Sequence, residues 1–187
     1  MNKCIVIFES KYGSTRRYAQ WISQALSCPL LERKEAKIQN LLTYDTIIYG
    51  GGLYAGGVSG LKFLTDHYEK LRDKHLILFT CGLADPADPE NVAHIREGLA
   101  KVLSPEMLEH IRLFHFRGGI DYTKLGFVHK NMMKMLHSVM VKKDPSELRE
   151  ELREEDKQML ETYGKTVDFT DQTAIHPLIE QALHFYS

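Results

Sequence analysis

Cysteine is scarce in this chain of 187 residues. Cys4, Cys28 and Cys81 are the only three, and no two form a C-x-x-C. An odd number at wide spacing argues against a disulfide framework and predicts a reducing, cytoplasmic setting. No apolar run approaches the roughly 20 residues that a bilayer-spanning helix needs. Lys3 leads straight into an apolar strand, a start that predicts no signal peptide. Neither sign of charge dominates: 24 Lys and Arg face 25 Asp and Glu, for a formal net charge of −1. That balance excludes a global polyanion-binding surface and an acidic tail, so no nucleic-acid partner is expected. The nine histidines contain no H-x-x-x-H or H-E-x-x-H, and no His–Cys–carboxylate cluster has ligand spacing, so no metal is expected. Neither G-x-x-x-x-G-K-[ST] nor G-x-G-x-x-G occurs, which sets aside nucleotide triphosphatase and dinucleotide loops. Asp85 and Asp88 read as turn and cap residues rather than paired acids, and no Ser–His–Asp arrangement stands out. No catalytic side chain is expected.

What the chain does have is 43% hydrophobic residues, enough for a sizeable core, and one informative stretch from Val6 to Ile22. An apolar strand stops at Phe8. A loop with hydroxyls and a glycine follows, Ser10, Lys11, Tyr12, Gly13, Ser14 and Thr15. A helical pattern then begins, with Tyr18, Ala19, Ile22, Ala25 and Leu26 on one face. The first N–H groups of a helix are unpaired and carry partial positive charge, so they attract a phosphate. The hydroxyls of Ser10, Ser14 and Thr15 can donate to the same oxygens, and Gly13 permits positive φ or close approach. A single phosphate suits this cradle better than a pyrophosphate.

Strand and helix alternate along the chain, which predicts a parallel sheet covered on both faces. The strands are expected at Lys3–Phe8, Pro29–Arg33 (a weak edge), Thr46–Tyr49, His75–Thr80 and Ile111–Phe116. The first helix is expected at Ser14–Ser27. Leu61, Leu64, Tyr68 and Leu71 mark the next. A third contains Val92, Ile95, Leu99 and Val102, with Asp88 as N-cap and Pro89 at its first position. The last spans Gln172–His184, with Ile175, Leu178, Ile179, Ala182 and Leu183 on its face. Two further helical patterns, Lys124–Met140 and 145–163, form an insertion at about 120–169 within a single domain of 1–187.

In open parallel sheets, ligands bind beyond the carboxyl ends of the strands. Three loops leave such ends here. The first is Ser10–Thr15. The second runs through Gly50, Gly51, Gly52, Leu53, Tyr54, Ala55, Gly56 and Gly57; its glycines suit a flat ring pressed against backbone, with Tyr54 to stack on it. The third opens Thr80, Cys81, Gly82 and Leu83, residues that taken alone read equally as plain strand ends.

Val6, Ile7, Phe8, Ser10, Gly13, Thr15, Ala19 and Ile22 resemble the flavodoxin fingerprint for the phosphate of FMN. The resemblance implies an α/β fold, with an open five-stranded parallel sheet in the order 2-1-3-4-5. It also implies FMN as cofactor, held by the three loops, with backbone of Gly51, Gly52 and Leu53 facing the flavin N5. Gly118-Gly119-Ile120-Asp121-Tyr122 and Val167-Asp168-Phe169-Thr170-Asp171 further resemble the flavodoxin-type protoporphyrinogen IX dehydrogenases. Those enzymes carry a helical insertion after strand five. The resemblance thus implies an FMN oxidoreductase of haem biosynthesis, with a porphyrinogen substrate and a quinone acceptor. The alternative is an electron-transfer flavodoxin serving a redox protein, against which the near-neutral charge weighs.

The insertion is electrically split. Residues 117–143 hold six Lys or Arg and one acid, whereas 144–161 hold eight acids and three bases. The basic helix, with Met132, Met135 and their neighbours on one face, can contact a membrane surface through 124–143 or recognise a carboxylated substrate. The favoured reading is that it pairs with the acidic helix, basic face to acidic face, with Met132, Met133, Met135 and Met140 as core filler.

Overall fold

A computed structural model describes residues 3–54, 57–124, 131, 134, 135, 137, 138 and 162–185. Strand β1 (Cys4–Glu9) leads to helix α1 (Ser14–Leu26), then β2 (Leu30–Glu32) and a short α2 (Ile38–Leu41). β3 (Thr46–Tyr54) folds back on β4 (Gly57–Val58), and α3 (Leu61–Leu71) and β5 (His75–Gly82) follow. Next come α4 (Pro89–Ala100), α5 (Pro105–His110) and β6 (Arg112–Arg117). A small ribbon pairs β7 (Gly119–Asp121) with β8 (Thr166–Asp168), and α6 (His176–His184) ends the described chain. The five parallel strands stand in the order β2-β1-β3-β5-β6. With the hairpin strand β4 set aside, this is the expected 2-1-3-4-5.

The central strands are apolar nearly throughout because helices cover both faces. Ile5, Ile7, Ile47, Tyr49, Leu76 and Leu78 meet α3 and α4 on one side. Val6, Phe8, Ile48, Ile77 and Phe79 meet α1 and α6 on the other. Successive side chains of a strand point to opposite faces, so one sequence run feeds both cores.

Several boundaries moved, each for a physical reason. The run expected to end at Tyr49 continues as a strand to Tyr54. Gly50, Gly51 and Gly52 lie inside the sheet, with Gly50 opposite Phe8 and Phe79, and Gly51 opposite Glu9 and Thr80. A Cβ on Gly50 would lie 2.0 Å from the Phe79 ring, so the glycine is what lets that ring cross the strand. Helix α5 was not anticipated, although Ser104-Pro105 announces it: the Ser104 hydroxyl accepts from Met107 N–H at 3.2 Å. Asp88 caps α4 as expected, accepting from Glu90 N–H at 2.9 Å. The last helix opens as a 3-10 turn over Gln172–Ile175. Leu183, expected on its buried face, is 51% exposed, since it sits about 100° around the helix from Ala182.

On β5 and β6, Thr80 and His115 are register partners, and the Thr80 hydroxyl meets His115 Nδ1 at 2.7 Å. Burial, and then the Arg96 charge, push the His115 imidazole down to about 4. The neutral ring is therefore the folded form.

Two measurements follow from this packing. Gly50→Ala should destabilise by roughly 1–3 kcal/mol in urea unfolding, through overpacking against Phe79, and Phe79→Leu should recover much of the loss. For His115 the folded value lies below the ordinary one, so its contribution to stability is complete above about pH 6.5. It is lost as pH falls toward about 4. His115→Gln should flatten the pH dependence of urea unfolding across that window.

Candidate functional site

The loop Ser10–Gly13 sits between the carboxyl end of β1 and the start of α1. Gly13 is the N-cap residue at φ 102°, a left-handed conformation that suits glycine, and no side chain caps the helix start. The first backbone amides of α1 therefore open toward the loop. Ser10 Oγ accepts from Gly13 N–H at 3.1 Å, and Ser14 Oγ accepts from Gly119 N–H at 3.1 Å. A hydroxyl that accepts keeps its own proton to donate. Thr15 is buried, 2% exposed, and its hydroxyl meets the Cys81 thiol.

The three expected loops do converge, through three different contacts. Tyr12 and Tyr54 meet edge to face at 5.6 Å between ring centres, joining the first loop to the second. The Tyr54 hydroxyl also meets the backbone of Lys11 and Tyr12; burial nonetheless pushes it up to about 12, so it stays neutral. Leu53 packs on Gly82, where a Cβ would lie 2.8 Å from Leu53 Cδ1, joining the second loop to the third. Thr15 against Cys81 joins the first to the third.

Individual residues differ in what they offer. Gly51 and Gly52 have their backbone in the sheet, and the Gly52 carbonyl accepts from Ser59 N–H at 2.9 Å. Leu53 pairs with Val58 in the hairpin. Ala55 and Gly56 lie outside the described residues. Thr80 turns its side chain to the α4 side and Cys81 to the α1 side, as strand alternation requires. Burial pushes the Cys81 thiol up to about 12, which keeps it protonated. The Leu83 carbonyl accepts from Arg117 Nε at 3.2 Å.

A pocket of about 420 Å³ borders the first loop. Its walls are Ser10–Ser14, Arg16 and Arg17 on one side and the β7–β8 ribbon on the other. Arg17 bonds Asp168 and Thr170, and Arg16 bonds Glu32, so both guanidinium groups are held by partners. Burial would raise the Asp168 carboxyl, but hydrogen bonds from Arg17 and Thr170 outweigh it and hold the group below its usual range. Arg16, Arg17 and the ribbon were not anticipated as site residues. The Gly118-Gly119 pair is the local signal of the ribbon's approach: a Cβ on Gly118 would lie 2.9 Å from Cys81 Sγ and 3.1 Å from Ser14 Cβ. Only glycine lets this segment approach the cradle so closely.

The insertion falls largely outside the described residues, including Met132, Met133, Met140 and the 145–161 part of the second helix. Within it, Met135 is 63% exposed rather than packed, and His137 stacks on Tyr163 at 4.1 Å. No helix among the described residues is long and apolar enough to cross a membrane.

No curated protein matches the chain. Solved structures that resemble it include a WrbA-like flavodoxin from Agrobacterium tumefaciens, 24% identical, covering 52% of this chain and 74% of its own, with a TM-score of 0.41. Flavodoxin 2 from Bacillus cereus, in its oxidised form, is 21% identical over 60% of this chain and 84% of its own, with a TM-score of 0.38. A flavodoxin from the domain Archaea is 15% identical over 85% and 94%, with a TM-score of 0.39. The family described as flavodoxin domain matches residues 5–148. The chain belongs to the flavodoxin domain family.

Proposed function

We propose that this protein is an FMN-binding oxidoreductase. One observation carries the reading: an uncapped helix start, its glycine N-cap and three hydroxyl side chains meet two further strand-end loops at one edge of the sheet. Family membership supports a flavin, and a loop that lacks the dinucleotide pattern G-x-G-x-x-G supports FMN. In this reading Ser10, Lys11, Tyr12, Gly13, Ser14 and Thr15 hold the phosphate. Gly51, Gly52, Leu53, Tyr54, Ala55 and Gly56 border the ring on one side, and Gly82 and Leu83 on the other. Thr80 and Cys81 contribute backbone, because their side chains belong to the two cores. When bound, FMN supplies the redox chemistry, taking electrons from a reduced substrate and passing them to an acceptor. The chain's own residues bind and orient it, with Tyr54 half-buried and neutral beside the first loop.

The finer reading is a protoporphyrinogen dehydrogenase type of activity, with the 120–169 segment as an insertion in one domain. Its support is the rooting of that segment. The ribbon that begins and ends it abuts the phosphate cradle through Ser14–Gly119 and Arg17–Asp168. The ribbon itself therefore borders any phosphate held by that loop.

FMN affinity tests the first part. Each hydroxyl–phosphate bond is charge-assisted and contributes roughly 1.5–3 kcal/mol. Ser10→Ala with Ser14→Ala should therefore weaken FMN binding at least ~100-fold in a fluorescence titration. Unchanged affinity would put the phosphate elsewhere. The second part is tested by turnover of the FMN-loaded protein with a porphyrinogen and a quinone analogue. Reduction in a single two-electron step is expected. Failure to turn over either compound, with reduction in two separate one-electron steps, would favour an electron-transfer protein.

A further inference from the structure

We infer that Cys4 and Cys28 form a reversible dithiol–disulfide couple that closes the 4–28 segment of the chain, whatever cofactor the cradle holds. The strand register places them together. Val6 pairs with Leu30 across the parallel β1–β2 edge, and Val6 N–H donates to Pro29 C=O at 2.9 Å. Cys4 lies two residues before Val6 in β1, and Cys28 two residues before Leu30, just ahead of β2. Both cysteines pack with Val6 and Leu30 in the same core. Adjacent strands lie about 4.8 Å apart, inside the Cα separation that a disulfide spans.

The surroundings fix this pairing. Ser27, at φ 50°, ends α1, and Cys28 N–H donates to Ser23 C=O at 3.1 Å. The Ser23 hydroxyl donates to Cys28 C=O at 2.6 Å. The two thiols are hydrogen-bonded neighbours, a contact that together with burial holds the Cys28 thiol well above its ordinary range. Both cysteines are reduced here. Cys28 is half-buried and Cys4 is 6% exposed, so Cys28 is the entry point and Cys4 the resolving thiol.

The chemistry balances with a small disulfide such as oxidised glutathione as oxidant. Cys28 loses its proton and its sulfur attacks the glutathione disulfide, releasing one glutathione and leaving a mixed disulfide. Cys4 loses its proton and attacks Cys28 Sγ, releasing the second. Two protein thiols are oxidised and one glutathione disulfide is reduced to two thiols. The loop so closed contains all of β1, the cradle and α1. The high thiol value makes the reaction slow at neutral pH and faster as pH rises.

The test treats the full-length protein with oxidised glutathione, alkylates the remaining thiols after denaturation, and maps the peptides by mass spectrometry. One alkylated cysteine, Cys81, is expected, with a Cys4–Cys28 cross-link that dithiothreitol reverses. The thermal midpoint should rise by about 5 °C. Cys81→Ser should keep the cross-link. Cys4→Ser should stop at glutathione on Cys28 and lose the thermal shift. Three alkylated cysteines, a disulfide between two chains, or glutathione retained on Cys28 of the unsubstituted protein would each overturn the inference.

Discussion

The hydroxyl of Tyr18 holds together the end of the molecule where the site forms. It donates to the Arg117 carbonyl at 2.7 Å and accepts from Asp171 N–H at 3.0 Å. Its ring is fully buried, stacked on Phe116 at 4.7 Å and edge-on to Trp21 at 5.3 Å. Burial pushes the phenol up to about 12, so it remains a proton donor across any working pH. One side chain thus ties α1, the end of β6 and the approach to α6 into a fixed relation. The first turn of α1, and with it the cradle, inherits that position. A buried phenol with both its donor and an acceptor position used is costly to disturb, because loss of either partner strands a polar group.

Around this tie the backbone comes unusually close to itself, and glycine is the means. Phe79 crosses Gly50, while Gly118 passes between Cys81 and Ser14. Gly118 N–H then donates to Gly82 C=O at 2.6 Å, and Phe169 N–H to Gly118 C=O at 3.2 Å. Arg117 completes the knot: it bonds Asp85 at 2.9 Å and lies 3.9 Å from the Phe169 ring centre. The charges next to the cradle are likewise committed, Arg16 to Glu32 and Arg17 to Asp168. These pairs are half exposed and contribute little to stability; their effect is to set where the guanidinium groups stand.

Much of the fold was legible in the residues. The strands and helices were readable because their signals are local, a period of two or of 3.6 residues together with caps such as Asp88-Pro89. The hydroxyl–glycine loop before α1 was legible for the same reason. The triple glycine misled, since glycine reads as loop whereas here it serves the close packing of two central strands. Helix α5 was overlooked although Ser104-Pro105 marks it. Thr80, Cys81 and Gly82 read as the opening of a loop but lie in β5, where strand alternation sends the Thr80 and Cys81 side chains to opposite faces.

Sequence alone determined the layered α/β class, the strand order through its resemblance, and the hydroxyl–glycine loop that opens α1, because each rests on residues within a few positions of one another. Tertiary structure decided what stands beside the cradle. Ser14 meets Gly119 across 105 residues of chain, and Arg17 meets Asp168 across 151. Such contacts depend on where the sheet delivers the end of β6 and the start of α6, and no local periodicity encodes that distance. The wall of the pocket opposite the cradle is therefore a property of the fold, although every residue in it was in view from the start.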